Sequence, residues 1–124
     1  NYTNPVVKKM ADLFSIEKNF LLNITNEFIN KLDKKKVVSI ILFGSIAREE
    51  AIQNDIDLLI IGNSDVKKEA EEIAEKYLDK DIIISPIVYS KSEISELKKK
   101  HNSFILQVEK EGKVLFGKSL IELD

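Results

Sequence analysis

Two short groups of residues in this chain carry side chains suited to chemistry. The first is Gly44-Ser45-Ile46-Ala47-Arg48, set where an apolar run ends. A strand, a glycine and then a helix make a phosphate-binding geometry, because the start of a helix offers free backbone N–H groups and the positive end of its dipole. Gly44 lets a phosphate approach the backbone, and Ser45 adds a hydroxyl. Arg48 lies three residues on, on the same helical face. A capping box would place Glu or Gln there, and a cation in the first turn opposes the dipole. An anion at this point accounts for Arg48. The plain alternative is a glycine turn with Ser45 as helix cap.

The second group is Asp55-Ile56-Asp57. Alternate residues of a strand share a face, so both carboxylates point the same way, with Cα atoms about 6–7 Å apart. Two such carboxylates repel unless a cation sits between them, and Mg²⁺ takes one or two carboxylates together with phosphate oxygens. A single Asp at a strand start is an ordinary turn residue. Two of them, alternating and leading into Leu58-Leu59-Ile60-Ile61, point to a metal site.

The elements that must hold these groups are legible from periodicity. Val37 to Phe43 is a continuous, β-branched buried strand that stops at Gly44. A short helix over about Ser45 to Glu50 follows, then a second buried strand over Ile56 to Ile61, closed by Gly62-Asn63-Ser64. Asp65 to Leu78 is an amphipathic helix with Val66, Ala70, Ile73, Ala74 and Tyr77 inward. Asp81 to Tyr89 is a third strand, which Pro86 marks as an edge or a bulge. Ser92 can cap a helix running to Lys100, a further helix covers about Asn102 to Lys110, and Lys113 to Phe116 can form a last short strand. Ahead of all this, Asn4-Pro5 starts a short helix to Phe14, and Ile16 to Leu32 is a second helix ending in Lys34-Lys35-Lys36. Helices alternating with three or four strands imply one sheet with helices packed against it, in the α/β (α+β) class.

Composition sets bounds on partners. The hydrophobic fraction is 44% over 124 residues, which suits one domain with a real core. Lys and Arg number 19 against 21 Asp and Glu, so no global basic footprint marks a nucleic-acid binder. There is no cysteine, hence no disulfide or thiolate metal site. No apolar run reaches the ~20 residues of a membrane span, and no signal peptide is visible. A cytoplasmic protein is the simplest fit. His101, beside Lys98-Lys99-Lys100, reads as a surface residue, and the lysine runs as solvated faces. Tyr77 and Phe104 fall at core spacing, and Tyr89 at a strand end reads as core or rim packing, with a place near the nucleotide as the alternative. The chain starts at Asn1 rather than Met, so it is expected to continue upstream.

Taken together, Ile41-Leu42-Phe43-Gly44-Ser45-Ile46-Ala47-Arg48 and Asn54-Asp55-Ile56-Asp57-Leu58-Leu59-Ile60 resemble the signature of the polymerase-beta nucleotidyltransferase superfamily. The likeness is strongest to its minimal, antitoxin-like branch. The signature spans about twenty residues, and the order of elements extends it over most of Val37 to Phe116. The resemblance implies a nucleotidyltransferase fold, a small mixed sheet of three to five strands packed against helices, with extra N-terminal helices. Residues 1–33 then form an N-terminal helical segment and 34–124 the transferase domain. It implies Mg²⁺ on Asp55 and Asp57, a triphosphate held by Gly44, Ser45 and Arg48, and transfer of a nucleoside monophosphate, AMP from ATP in the first place. Relatives of this type pair with a small helical protein, so a protein acceptor or partner is expected rather than tRNA or a primer. Apolar surplus on the two leading helices would also suit a homodimer. The segment Tyr2 to Phe14 resembles a connector that follows a winged-helix region in some relatives. The pattern departs from the family in three places. Glu49 stands where Gly follows the Arg, with Glu50 next to it, and Asn54 stands for Ser. The third departure is Ser85, which falls where a third carboxylate is expected, with Asp81 the only acid nearby. In the family that acid helps activate the acceptor hydroxyl. Its loss favours a second reading, a nucleotide-binding regulatory subunit with weak or no turnover.

Overall fold

A computed structural model describes residues 19–44 and 55–123. The helix at Asn4–Phe14, the start of the next one, and the expected helix over Ser45–Glu50 lie outside these residues. Strands β1 (Val37–Phe43) and β2 (Asp55–Gly62) are buried along nearly their whole length. A strand with one wet face alternates apolar and polar residues, whereas these two are continuously apolar because both faces are covered. With β3 (Ile83–Tyr89) and β4 (Lys113–Gly117) they form a sheet of order β3-β2-β1-β4. β1 runs antiparallel to β2 and β4, while β2 and β3 are parallel. A parallel step needs a crossover, and α2 (Asp65–Glu75) supplies it.

On one face, helix α1 (residues 19–31) and α2 close a core. Leu21, Ile24, Phe28 and Ile29 of α1, with Leu32 just beyond it, meet Ile40, Leu42, Ile56, Leu58 and Ile60 there. These five apolar residues are therefore used within the chain, and Phe20 is the one large apolar residue of the described α1 left exposed. On the other face α3 (Lys91–Lys99) and α4 (Ser103–Glu111) bring Ile94, Ile105 and Val108 onto Ile41, Leu59 and Ile61. Leu120 and Leu123, after β4, complete this second core. Among the described residues no helix is long and apolar enough to cross a membrane.

Local signals explain the boundaries. α2 stops at Glu75, short of Leu78, and a 3₁₀ turn Leu78–Lys80 follows. Asp81 then takes a left-handed conformation (φ 59°) that redirects the chain, so β3 begins at Ile83 rather than Asp81. α3 is capped by Ser90, not Ser92: the Glu93 N–H donates to Ser90 Oγ (3.1 Å), and the Ser90 N–H to Glu93 Oε1 (3.0 Å). This is the reciprocal Ser-x-x-Glu box, which outcompetes a lone serine. Asn102 caps α4 by accepting from the N–H groups of Phe104 and Ile105. Tyr77 packs in the core as its spacing predicts and also clasps α1 to α2. Its hydroxyl donates to Glu27 Oε1 (2.9 Å) and accepts from Lys31 Nζ (3.0 Å), and its ring meets Phe28 edge-on. Burial raises the Tyr77 pKa above the ordinary phenol value. The hydrogen bond from Tyr77 lowers that of Glu27.

Candidate active site

The two chemical groups converge at one end of the sheet. β1 delivers Gly44 at its C-terminal end, and β2 begins with Asp55. Phe43 is the antiparallel partner of Asp57, so the glycine and the carboxylate are neighbours across the ladder. Gly44 adopts φ +83°, a left-handed backbone that L side chains rarely take. A β-carbon built there would overlap the Asp57 carboxylate, with Asp57 Cγ only 3.1 Å and Cβ 3.3 Å away. Glycine is thus required twice, by conformation and by the close approach of Asp57. The chain leaves this point towards Ser45 and Arg48, which lie outside the described residues together with Glu49, Glu50 and Asn54.

Asp55 and Asp57 are half-buried and alternate with the fully buried Ile56 and Leu58. Their shared face is that of Leu59 and Ile61, the side covered further along by α3 and α4. In the parallel register Asp57 stands beside Ser85, and Asp55 beside Ile83. Ser85 therefore stands next to Asp57 on β3, at the position where the family resemblance implies a third carboxylate. Asp81 lies outside the strand, exposed, in the left-handed turn before it. Among the described residues no three metal-ligating side chains come together. Two carboxylates on one face, one pressed against a glycine backbone, suit a small hard cation. Such an ion takes one or two carboxylates and fills its remaining positions with water and phosphate oxygens.

One wall of this end is aromatic. Phe43 and Phe104 meet edge-on, centroids 5.2 Å apart at 81°, and α4 thereby packs against the residue beside Asp57. The other wall is Ile83, half exposed at the sheet edge next to Asp55. The even spacing Ile83, Ser85 places both on one strand face, a signal that could have found Ile83 in the sequence.

Other residues singled out in the sequence lie elsewhere. Tyr89 pairs with Ile61 at the far end of β3 and packs on the second core. Lys36 bonds to Asp65 at 3.0 Å, which raises the lysine pKa and lowers that of the aspartate. Lys98 donates to the carbonyls of Leu120 and Leu123, holding the segment after β4. His101 is exposed in the turn between α3 and α4, with φ 52°. An open groove of about 720 Å³, lined by Gly62, Asn63, Ser64 and Ser90 among others, sits at the opposite end of the sheet from the aspartates.

Known proteins resemble this chain in sequence and in fold. The profile of the family described as Polymerase beta, Nucleotidyltransferase matches residues 24–120. A Methanocaldococcus jannaschii protein, named Putative protein adenylyltransferase MJ0604, is 36% identical over 94 residues, covering 73% of this chain and 92% of its own. A chain of a toxin–antitoxin crystal structure with AMP-PNP superposes with a TM-score of 0.50 at 21% identity, over 79% of this chain and 73% of that one. A mutant form of the toxin–antitoxin pair MntA-HpeT gives 0.51 at 21% identity, over 77% and 72%. These two structural likenesses bear on the fold, a four-stranded mixed sheet with helices on both faces.

Proposed function

The chain belongs to the polymerase beta nucleotidyltransferase family, and from that premise we propose that it transfers AMP from ATP to a hydroxyl of a partner protein. The observation that carries the reading is Gly44, held left-handed against the carboxylate of Asp57 at the end of β1. It couples the glycine turn to the aspartate pair, which either group alone would not do. The name of the 36%-identical relative supports an adenylyl group and a protein acceptor. The AMP-PNP in one structural neighbour supports an adenine nucleotide, and the toxin–antitoxin setting supports a partner protein.

Asp55 and Asp57 would hold Mg²⁺, which supplies charge neutralisation at the phosphate oxygens and the leaving group. Gly44 leaves room for the triphosphate, and Ser45 and Arg48 are assigned to it from the sequence. The acceptor oxygen forms a bond to the α-phosphorus while the bond to the pyrophosphate oxygen breaks. The hydroxyl proton leaves to solvent or base, and pyrophosphate departs. The transferase unit is proposed to span 34–124, with α1 packed on it, in the cytoplasm where ATP is at hand. Mg²⁺-ATP at millimolar concentration should raise the melting temperature, since a ligand at ~100 times its Kd adds about 2.7 kcal/mol. An unchanged melting curve would overturn the nucleotide reading.

A second reading has its own observation. Ser85 stands beside Asp57 where a carboxylate would accept the acceptor's proton. On that ground the domain binds nucleotide and turns it over slowly, as a regulatory subunit. The two readings part at Ser85→Asp. If the missing base limits turnover, this variant should raise the rate of AMP transfer by about 10²-fold, the usual contribution of a positioned base. Quenched-flow or endpoint counting of labelled AMP on acceptor checks it, and an unchanged rate would show that another group removes the proton.

A further inference from the structure

We infer that the groove between α2 and the free edge of β3 docks a segment of the protein acceptor carrying apolar side chains flanked by lysine or arginine. The inference rests on the transferase reading above and names the surface that would bring the acceptor to it. The groove has a volume of about 330 Å³ and is lined by Glu71, Ala74, Glu75 and Leu78 with Ile83, Ile84 and Pro86. Positions 71, 74, 75 and 78 follow the i, i+3, i+4, i+7 rule, so they form one stripe along α2 and the turn after it. The left-handed Asp81 folds the chain back so that Leu78 and Ile83 border the same groove.

Three observations converge on this surface. Leu78 is 53% exposed and Ile83 49%, two of the large apolar side chains the fold leaves in solvent. The groove lies on the α2 face of the sheet and the aspartates on the other, and the two meet around the free edge of β3, where Ile83 lines the groove and is the ladder neighbour of Asp55. Because β3 is the outermost strand on that side, an acceptor segment passing around this edge can lie in the groove while its hydroxyl residue reaches the aspartates. Charge then selects the segment. Glu71 and Glu75 are both exposed, and neither forms an ion pair among the described residues. An apolar floor with an acidic rim is complementary to an apolar segment bearing cations, and it repels one bearing carboxylates. Pro86 has no N–H to offer along this edge, so recognition falls on side chains rather than on strand addition.

The test uses the whole chain, labelled with ¹⁵N, and two ten-residue peptides, one alternating leucine with lysine and the other leucine with glutamate. The leucine–lysine peptide should shift amide resonances between residues 71 and 85, with the glutamate peptide bound at least about tenfold more weakly. The double variant Glu71→Lys, Glu75→Lys should reverse that preference while Mg²⁺-ATP raises the melting temperature as before. Shifts centred on another surface, or a peptide preference untouched by the charge reversal, would overturn the inference. Loss of the Mg²⁺-ATP effect in the unaltered protein would instead overturn the transferase reading, so the two failures are told apart.

Discussion

Replacing Asp55 and Asp57 together by asparagine should abolish the metal-dependent stabilisation by ATP and lower any AMP transfer by about 10³-fold or more. Asparagine keeps the shape of each side chain but removes the charge that would hold Mg²⁺. A metal contributes several kcal/mol of transition-state charge stabilisation, and each 1.36 kcal/mol is about tenfold in rate. Both aspartates are half-buried at the start of a strand whose remaining residues form the core, and the exchange leaves that apolar core intact. Circular dichroism should be unchanged, and the melting temperature without ligand should move little. The decisive comparison is the melting curve with and without Mg²⁺-ATP. A double variant that Mg²⁺-ATP still stabilises as it does the parent would remove the pair from the proposed site.

The second large effect should come from Gly44→Ala. The left-handed backbone costs an alanine about 1–2 kcal/mol, and its β-carbon would overlap the Asp57 carboxylate. The overlap can be relieved only by moving Gly44 or Asp57, and either moves the site. A misplacement of about 1 Å at a reacting centre can lower a rate by about 10²-fold, and nucleotide binding should fall with it. Gly117→Ala is the matched control. Gly117 also has positive φ (+74°) and an obstructed Cβ position, against Val38 and Ser39, but lies at the other end of β1. Urea denaturation should show both variants destabilised, while titration with Mg²⁺-ATP should show only Gly44→Ala impaired. Equal nucleotide binding by the two variants would mean that Gly44 serves the fold alone.

How far the sequence discloses this architecture depends on whether the deciding forces are local. β1 was legible to the residue, because a strand covered on both faces is an unbroken apolar run that ends at a glycine. The edge position of β3 was legible from Pro86, which cannot donate to a ladder. The cap of α3 was present as Ser90 and Glu93 but easily passed over in favour of Ser92, which also precedes apolar residues. The end of α2 was not legible, since residues 65–78 keep a helical pattern beyond the point where Asp81 must turn the chain into β3. At the site, the common face of Asp55 and Asp57 follows from strand pleat alone. The contact of Gly44 with Asp57, and the placing of Ser85 beside Asp57, depend on which strands pair and in what register. That pairing is a tertiary choice, carried by the two cores rather than by any stretch of sequence.

The position of β4 beside β1 has a consequence for biosynthesis. Of the described strands, the earliest to leave the ribosome pairs on its outer side with the latest, through Ile41 with Val114 and Ser39 with Gly117. Until residue 113 and its successors emerge, the apolar stretch Val37–Phe43 has an unpaired edge, and Leu120 and Leu123 are not yet in place to seal the core behind it. Chains elongate at about 5–20 residues per second, so this edge stays open for several seconds in every round of translation. A nascent chain stalled ahead of Lys113 would carry a hydrophobic strand template, and it is at that stage, more than in the finished protein, that a chaperone has something to hold.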